Sequence, residues 1–152
     1  MKKVINLVLA VLITGCINAQ WTYKLYDNGF DPAYRMAVTP MNNDAFLYML
    51  NLDSAVTLSV AGNYYCDEAP TVDVVFTVNG VDNKFQLLGY KGSSSDVIYL
   101  TWDMSAEDPL FLESFKKASV MKIRVNESYC TSEIYTYKMT NSKAAYDYIA
   151  NP

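Results

Sequence analysis

Large apolar residues recur at every second position through much of the chain, and this spacing predicts β-strands, because successive side chains of a strand point to opposite faces of a sheet. In Val56-Thr57-Leu58-Ser59-Val60-Ala61 they alternate with small or polar residues, and Val72, Val74, Phe76 and Val78 alternate with Asp73 and Thr77. Further strands are predicted over 21–27, 34–39, 45–51, 85–90, 97–102, 121–126 and 133–139. No regular helix separates them. The pattern therefore predicts an all-β fold, an antiparallel β-sandwich of eight or nine strands, and not a parallel α/β sheet.

Asn79-Gly80 marks the sharpest turn, since a type I′ hairpin needs positive φ at both central residues and Asn-Gly tolerates it best. A two-residue turn sets Val78 opposite Val81 and Val74 opposite Phe85, with Asn83 facing Phe76 as a mismatch. A four-residue turn over Asn79 to Asp82 sets Phe76 opposite Phe85 instead. Either even-length loop keeps the apolar faces matched, so the hairpin is predicted and its register stays open. Two short helices complete the pattern. Asp108 as N-cap and Pro109 at the first helical position announce one, with Phe111, Phe115 and Ala118 on a single stripe that lids the sandwich. The other runs over 142–150, behind Thr140-Asn141, with Ala145, Tyr148 and Ile149 on its apolar face. Lys91-Gly92-Ser93-Ser94-Ser95 reads as a surface loop.

The first nineteen residues break this pattern. Lys2 and Lys3 form a positive n-region and Val4 to Ile13 an apolar segment too short to span a bilayer, so 1–19 reads as a bacterial signal peptide and 20–152 as a single β-sandwich domain. Two cleavage positions compete. Ile17-Asn18-Ala19 ends in a small residue and is favoured. Ile13-Thr14-Gly15-Cys16 resembles a lipobox, and cleavage there makes Cys16 the lipidated first residue of a membrane-anchored lipoprotein. The strand at Trp21 would then begin almost without a tether. The expected location is exported, periplasmic or secreted.

Composition narrows the chemistry. Apolar types make up 51% of the chain and charged types 18%, which suits a packed globule. Histidine is absent, so Ser-His and Cys-His catalysis and imidazole metal sites are excluded. Loss of the signal moves the net charge from −4 to −6, because every carboxylate lies beyond it, and an acidic chain argues against nucleic acid as a partner. Cys66 and Cys130 are the remaining cysteines, each preceded by a tyrosine. In an oxidising compartment they read as a structural disulfide rather than a redox pair, since no Cys-x-x-Cys spacing exists.

Other candidates have simpler explanations. Asp103, Glu107, Asp108 and Glu113 could hold a calcium ion or form a glycosidase pair, but three precede or cap the predicted helix and the fourth lies on its wet face. Ser114-x-x-Lys117 and Ser119-x-x-Lys122 match a serine-nucleophile spacing without its companion motifs. No catalytic residue, metal site or cofactor is expected.

Aromatics are the compositional excess, at thirteen Tyr, six Phe and two Trp. Core packing accounts for most, yet Phe46-Leu47-Tyr48-Met49-Leu50 and Ile134-Tyr135-Thr136-Tyr137 carry large residues on both faces. Either a second layer covers them or one face is an interface. Tyr64 and Tyr65 beside Cys66, Tyr129 beside Cys130, and Tyr90 at a strand end are the candidate binding residues, expected to cluster if the disulfide forms. Lys122 and Arg124 alternate with Ile123 and Val125 as a solvated strand face.

The order of these features has a counterpart in known families. An early Trp21, the strand of Val56 to Val60, Cys66 followed by Pro70 and Val72 to Val78, then Phe115-Lys116-Lys117-Ala118-Ser119 leading into Lys122-Ile123-Arg124-Val125 and a closing Ala144-Ala145 helix resemble the layout of the small exported β-sandwich proteins of the type VI secretion-associated lipoprotein and invasion-associated locus B families. That resemblance implies a non-enzymatic envelope or secretion accessory and carries over no functional residue. The sequence therefore predicts an exported, non-enzymatic protein that binds a protein or envelope component. A carbohydrate- or peptidoglycan-binding module using exposed tyrosines is the alternative, and a hydrolase with paired carboxylates ranks third.

Overall fold

The computed structural model describes residues 21–27, 33–52 and 55–151. The predicted signal peptide over 1–19, with both cleavage positions and Cys16, lies outside the described residues. Ten strands form two antiparallel sheets: β1 (Thr22–Tyr26), β2 (Tyr34–Val38), β3 (Phe46–Leu52), β4 (Ala55–Ala61), β8 (Val97–Thr101) and β7 (Tyr90–Lys91) in that spatial order, and β10 (Glu133–Lys138), β9 (Val120–Asn126), β5 (Thr71–Val78) and β6 (Val81–Leu88) in the other. Two helices, α1 (Pro109–Lys117) and α2 (Ser142–Ala150), flank the last two strands. The all-β sandwich expected from the alternation is present. The strand not anticipated is β7, two residues long and separated from β6 by Gly89.

The two sheets differ in width, and the helices make up the difference. Strands sit about 4.8 Å apart, so six span roughly 24 Å and four only about 14 Å. Beneath β2, β3 and β4 the second layer is α2, which packs against all three and against α1. Arg35 of β2 donates from Nη1 to the carbonyls of Tyr148 and Asn151, and Asn51 of β3 donates to the carbonyl of Ile149. The core lies between the layers, with Leu47, Met49, Leu58 and Val60 from one sheet, Val72, Val74, Phe76 and Ile123 from the other, and Phe111, Phe115, Ala145 and Ile149 from the helices.

The β5–β6 hairpin takes the two-residue turn, with φ of 51° at Asn79 and 80° at Gly80 and Val78 opposite Val81. Asn83 thus does face Phe76, and its amide resolves the mismatch by donating to the buried Ser114 Oγ of α1 at 2.9 Å. Phe76 is instead surrounded by Phe85, Phe111 and Phe115 edge to face, at 5.2 to 6.2 Å between ring centroids. α1 starts as its sequence requires: the Asp108 carboxylate accepts from the Leu110 N–H at 2.8 Å and Pro109 occupies the first helical position.

Candidate functional site

Cys66 and Cys130 form a disulfide with Cα atoms 6.0 Å apart, within the range such a bond requires. Cys66 lies in the loop entering β5 and Cys130 in the loop leaving β9, and these strands are paired neighbours, so the bond closes the end of an existing ladder. A reciprocal clamp holds the two loops together. Glu127 Oε1 accepts from the N–H groups of Cys66 and Asp67, and Asp67 Oδ2 accepts from the N–H of Ser128.

Three of the four candidate tyrosines are exposed, and the fourth is not. Tyr64 and Tyr129 stand in solvent at 72% and 88% exposure, and Tyr90 is 42% exposed. Tyr65 is fully buried in the core, its hydroxyl 3.2 Å from that of Tyr135, which also accepts from Asn63. Burial pushes its phenol pKa up, so the ring is a neutral packing element. No ring-to-ring contact joins Tyr64, Tyr90 and Tyr129 to one another among the described residues. Tyr90 stands instead beside Trp102, a residue the alternation did not single out.

A bulge explains Trp102. Ser59 pairs with Tyr99 and Leu58 with Thr101, so Leu100 is an extra residue in β8. Residues three apart on a regular strand point to opposite faces. The extra residue restores a common side, and the Tyr99 and Trp102 rings stack at 4.3 Å with 20° between planes.

The outer faces of the two sheets differ in kind. On the four-stranded sheet the outward positions are largely polar or charged, with Asp73, Lys84, Gln86, Lys122, Arg124, Thr136 and Lys138 among them. Asp73 accepts from Arg124 Nε and Nη2, from Asn126 Nδ2 and from Gln86 Nε2. Hydrogen bonds from Asn126, Arg124 and Gln86 hold its carboxyl down at about 2. A carboxyl lowered on folding contributes stability that is fully present above its unfolded value near 4 and is lost as pH falls through about 2. Comparison of urea midpoints at pH 5 and in the acid window below 4 should therefore show a larger acid loss for the wild type than for Asp73→Asn. Equal losses would mean that Asp73 is bonded equally well in the unfolded chain.

The outer face of the six-stranded sheet is apolar. One row crosses all six strands as Thr22, Val38, Tyr48, Ser59, Tyr99 and Tyr90, and Met36, Leu50, Phe46 and Val97 lie in the rows beside it. Lys24, at the β1 edge, is the sole charged side chain at an outward strand position there among the described residues. Ser59 is fully buried. Burial also pushes the Tyr48 phenol up to about 12. Met36, Val38, Phe46, Leu50, Val97 and Tyr99 are half-buried, Tyr48, Thr57, Ser59 and Ala61 are buried, and no helix or strand among the described residues forms a second layer over them. Of the two faces that the doubly apolar Phe46-to-Leu50 strand presents, this is the one turned away from the core.

The remaining candidates each have a partner within the chain. Asp103 accepts from the Ser105 N–H and Oγ, Glu107 from Thr101 Oγ1, and Glu113 pairs with Lys117. No group of three metal-ligating side chains occurs among the described residues. Ser114 Oγ accepts from Asn83 and Lys117 pairs with Glu113, while Ser119 Oγ donates to the Thr77 carbonyl, so neither candidate serine is bonded to its lysine. No described helix is long and apolar enough to cross a membrane. No family model, curated protein or solved structure matches the chain.

Proposed function

We propose that this chain is an exported, non-catalytic envelope or secreted accessory protein that docks a protein partner on the outer face of its six-stranded sheet. The observation that carries the reading is the contrast between the two outer faces. One sheet's outward positions are largely polar or charged, with Val75, Leu88, Val120 and Ile134 the apolar exceptions, while the other's are largely apolar, at Met36, Val38, Phe46, Tyr48, Leu50, Val97 and Tyr99. Six strands of two to seven residues present a face on the order of 450 Å² in plan, within the range of the largest apolar patch of a typical monomer. The disulfide supports an oxidising location for this chain, and the resemblance of its sequence layout to exported accessory families agrees with a non-enzymatic role.

The test is site-specific photo-cross-linking in an exporting bacterial host. A benzoylphenylalanine at Leu50 should yield one discrete protein adduct, and the same probe at Glu113, on the wet face of α1, should yield none. Met36→Asp placed in the Leu50 probe chain should abolish the adduct with little change in thermal midpoint. Adducts at both positions, no adduct at Leu50, or an adduct indifferent to Met36→Asp would overturn the reading.

A further inference from the structure

The Tyr99–Tyr90 end of that outer face runs into the edge of the sandwich, where β6 comes closest to β8. A cleft of about 460 Å³ opens there, lined by Leu88, Tyr90, Trp102, Asp103, Ala106 and Glu107 among others. That volume falls in the range of small-ligand sites. From the Trp102 ring, the Tyr90 and Asp103–Glu107 walls of this cleft, we infer a binding site for an uncharged hexopyranose glycan. The inference does not rest on the protein-docking reading.

The platform comes first. Trp102 is 51% exposed, yet one face of its indole is covered by Tyr99, which holds the ring in place. A ring held this way loses little conformational freedom on binding, and an amphipathic aromatic suits a partner that is apolar on one side and wet on the other. A pyranose is such a partner, since its axial C–H bonds form an apolar face and its hydroxyls ring the edge. Tyr90, with its centroid 6.3 Å from that of Trp102 and its plane tilted by 40°, gives the cleft a second aromatic wall.

The polar wall supplies the acceptors. Glu107 uses one carboxylate oxygen to accept from Thr101 Oγ1 at 2.7 Å, which fixes the side chain and leaves the other oxygen without a protein donor among the described residues. Asp103 is fixed in the same way by two bonds from Ser105, at 2.9 and 2.7 Å. Pre-positioned carboxylates accept hydrogen bonds from sugar hydroxyls. They also repel uronic acids and sulfated or phosphorylated sugars, and this selects an uncharged glycan. Leu88, exposed at 54%, adds an apolar lip.

The chain carries its own reporter, because its tryptophans are the buried Trp21 and the exposed Trp102. The oxidised mature chain is titrated with cellohexaose, laminarihexaose and N-acetylchitohexaose while tryptophan emission is followed. A saturable change with at least one of them, at millimolar or tighter affinity, is the expected result. Calorimetry with that glycan should show Trp102→Ala and Tyr90→Ala each weakening binding roughly tenfold or more, and hexagalacturonate binding roughly tenfold more weakly than the neutral chain. Should Trp102→Ala disturb the fold, Tyr90→Ala and Trp102→Phe keep the comparison valid. No saturable change with any neutral glycan, or unchanged affinity in these variants, overturns the inference. So would a Trp102 variant that loses only the protein adduct of the Leu50 probe chain, which would assign the ring to the docking surface.

Discussion

The chain from residue 20 onward carrying Cys66→Ser and Cys130→Ser should unfold with about 4 kcal/mol less free energy than the oxidised chain. The loop closed by the bond has a sequence separation of 64, and cross-linking it removes that much closure entropy from the unfolded ensemble. In the folded chain the bond adds little new geometry. β5 and β9 are already paired, and the Glu127 and Asp67 carboxylates already draw the two loops together. The variant should accordingly keep the far-ultraviolet circular dichroism of the wild type while its urea midpoint falls. Domains of this size are stable by roughly 5–15 kcal/mol, so the loss is a large part of the whole. A change below about 1 kcal/mol would show that the reduced unfolded chain keeps these loops together unaided.

Phe76→Ala should cost about 3–5 kcal/mol, the range for truncating a fully buried aromatic. Phe76 is fully buried and lies edge to face with Phe85, Phe111 and Phe115, so its removal leaves a cavity shared by the hairpin and both ends of the aromatic stripe on α1. Neither neighbour closes that gap easily. The sheet is held by ladders on both sides of β5, and α1 is tied down through Ser114 to Asn83. Phe85→Ala should cost less, because Phe85 is only half-buried. Urea denaturation of the two variants under one set of conditions checks the order, and a reversed order would mean that the helix, rather than the sheet, limits how the site relaxes.

How far the chain announced itself can be followed residue by residue. The strands were legible because their period is two, and both helices because Asp108-Pro109 and the Ala145–Ile149 stripe are local signals. The hairpin register was not. Asn83 opposite Phe76 is unfavourable within the hairpin alone, and the group that satisfies it, Ser114, lies on a helix that pairing rules do not place. The candidate site was half legible. Large residues of both parities in Phe46 to Leu50 announced two demanding faces, and the register shows which of them packs into the core. Tyr65 was out of reach, since it sits in an irregular loop where alternation says nothing about direction. Trp102 was hidden for a different reason. Its stacking on Tyr99 depends on the extra residue at Leu100, and that bulge carries no glycine to mark it.

The strand order also sets how quickly this fold can be reached. β5 meets β6 across a two-residue turn, but it meets β9 only after the intervening chain to Val120 has been brought round, and β4 likewise meets β8 across residues 62–96. Closing such long segments before their contacts form is what slows β-sandwiches to the millisecond-to-second range. The β5–β6 hairpin is thus the one part of the central ladder available early. Until β9 arrives, β5 presents an unpaired edge lined with Val72, Val74 and Phe76, and in that interval the chain is most open to strand exchange with its neighbours.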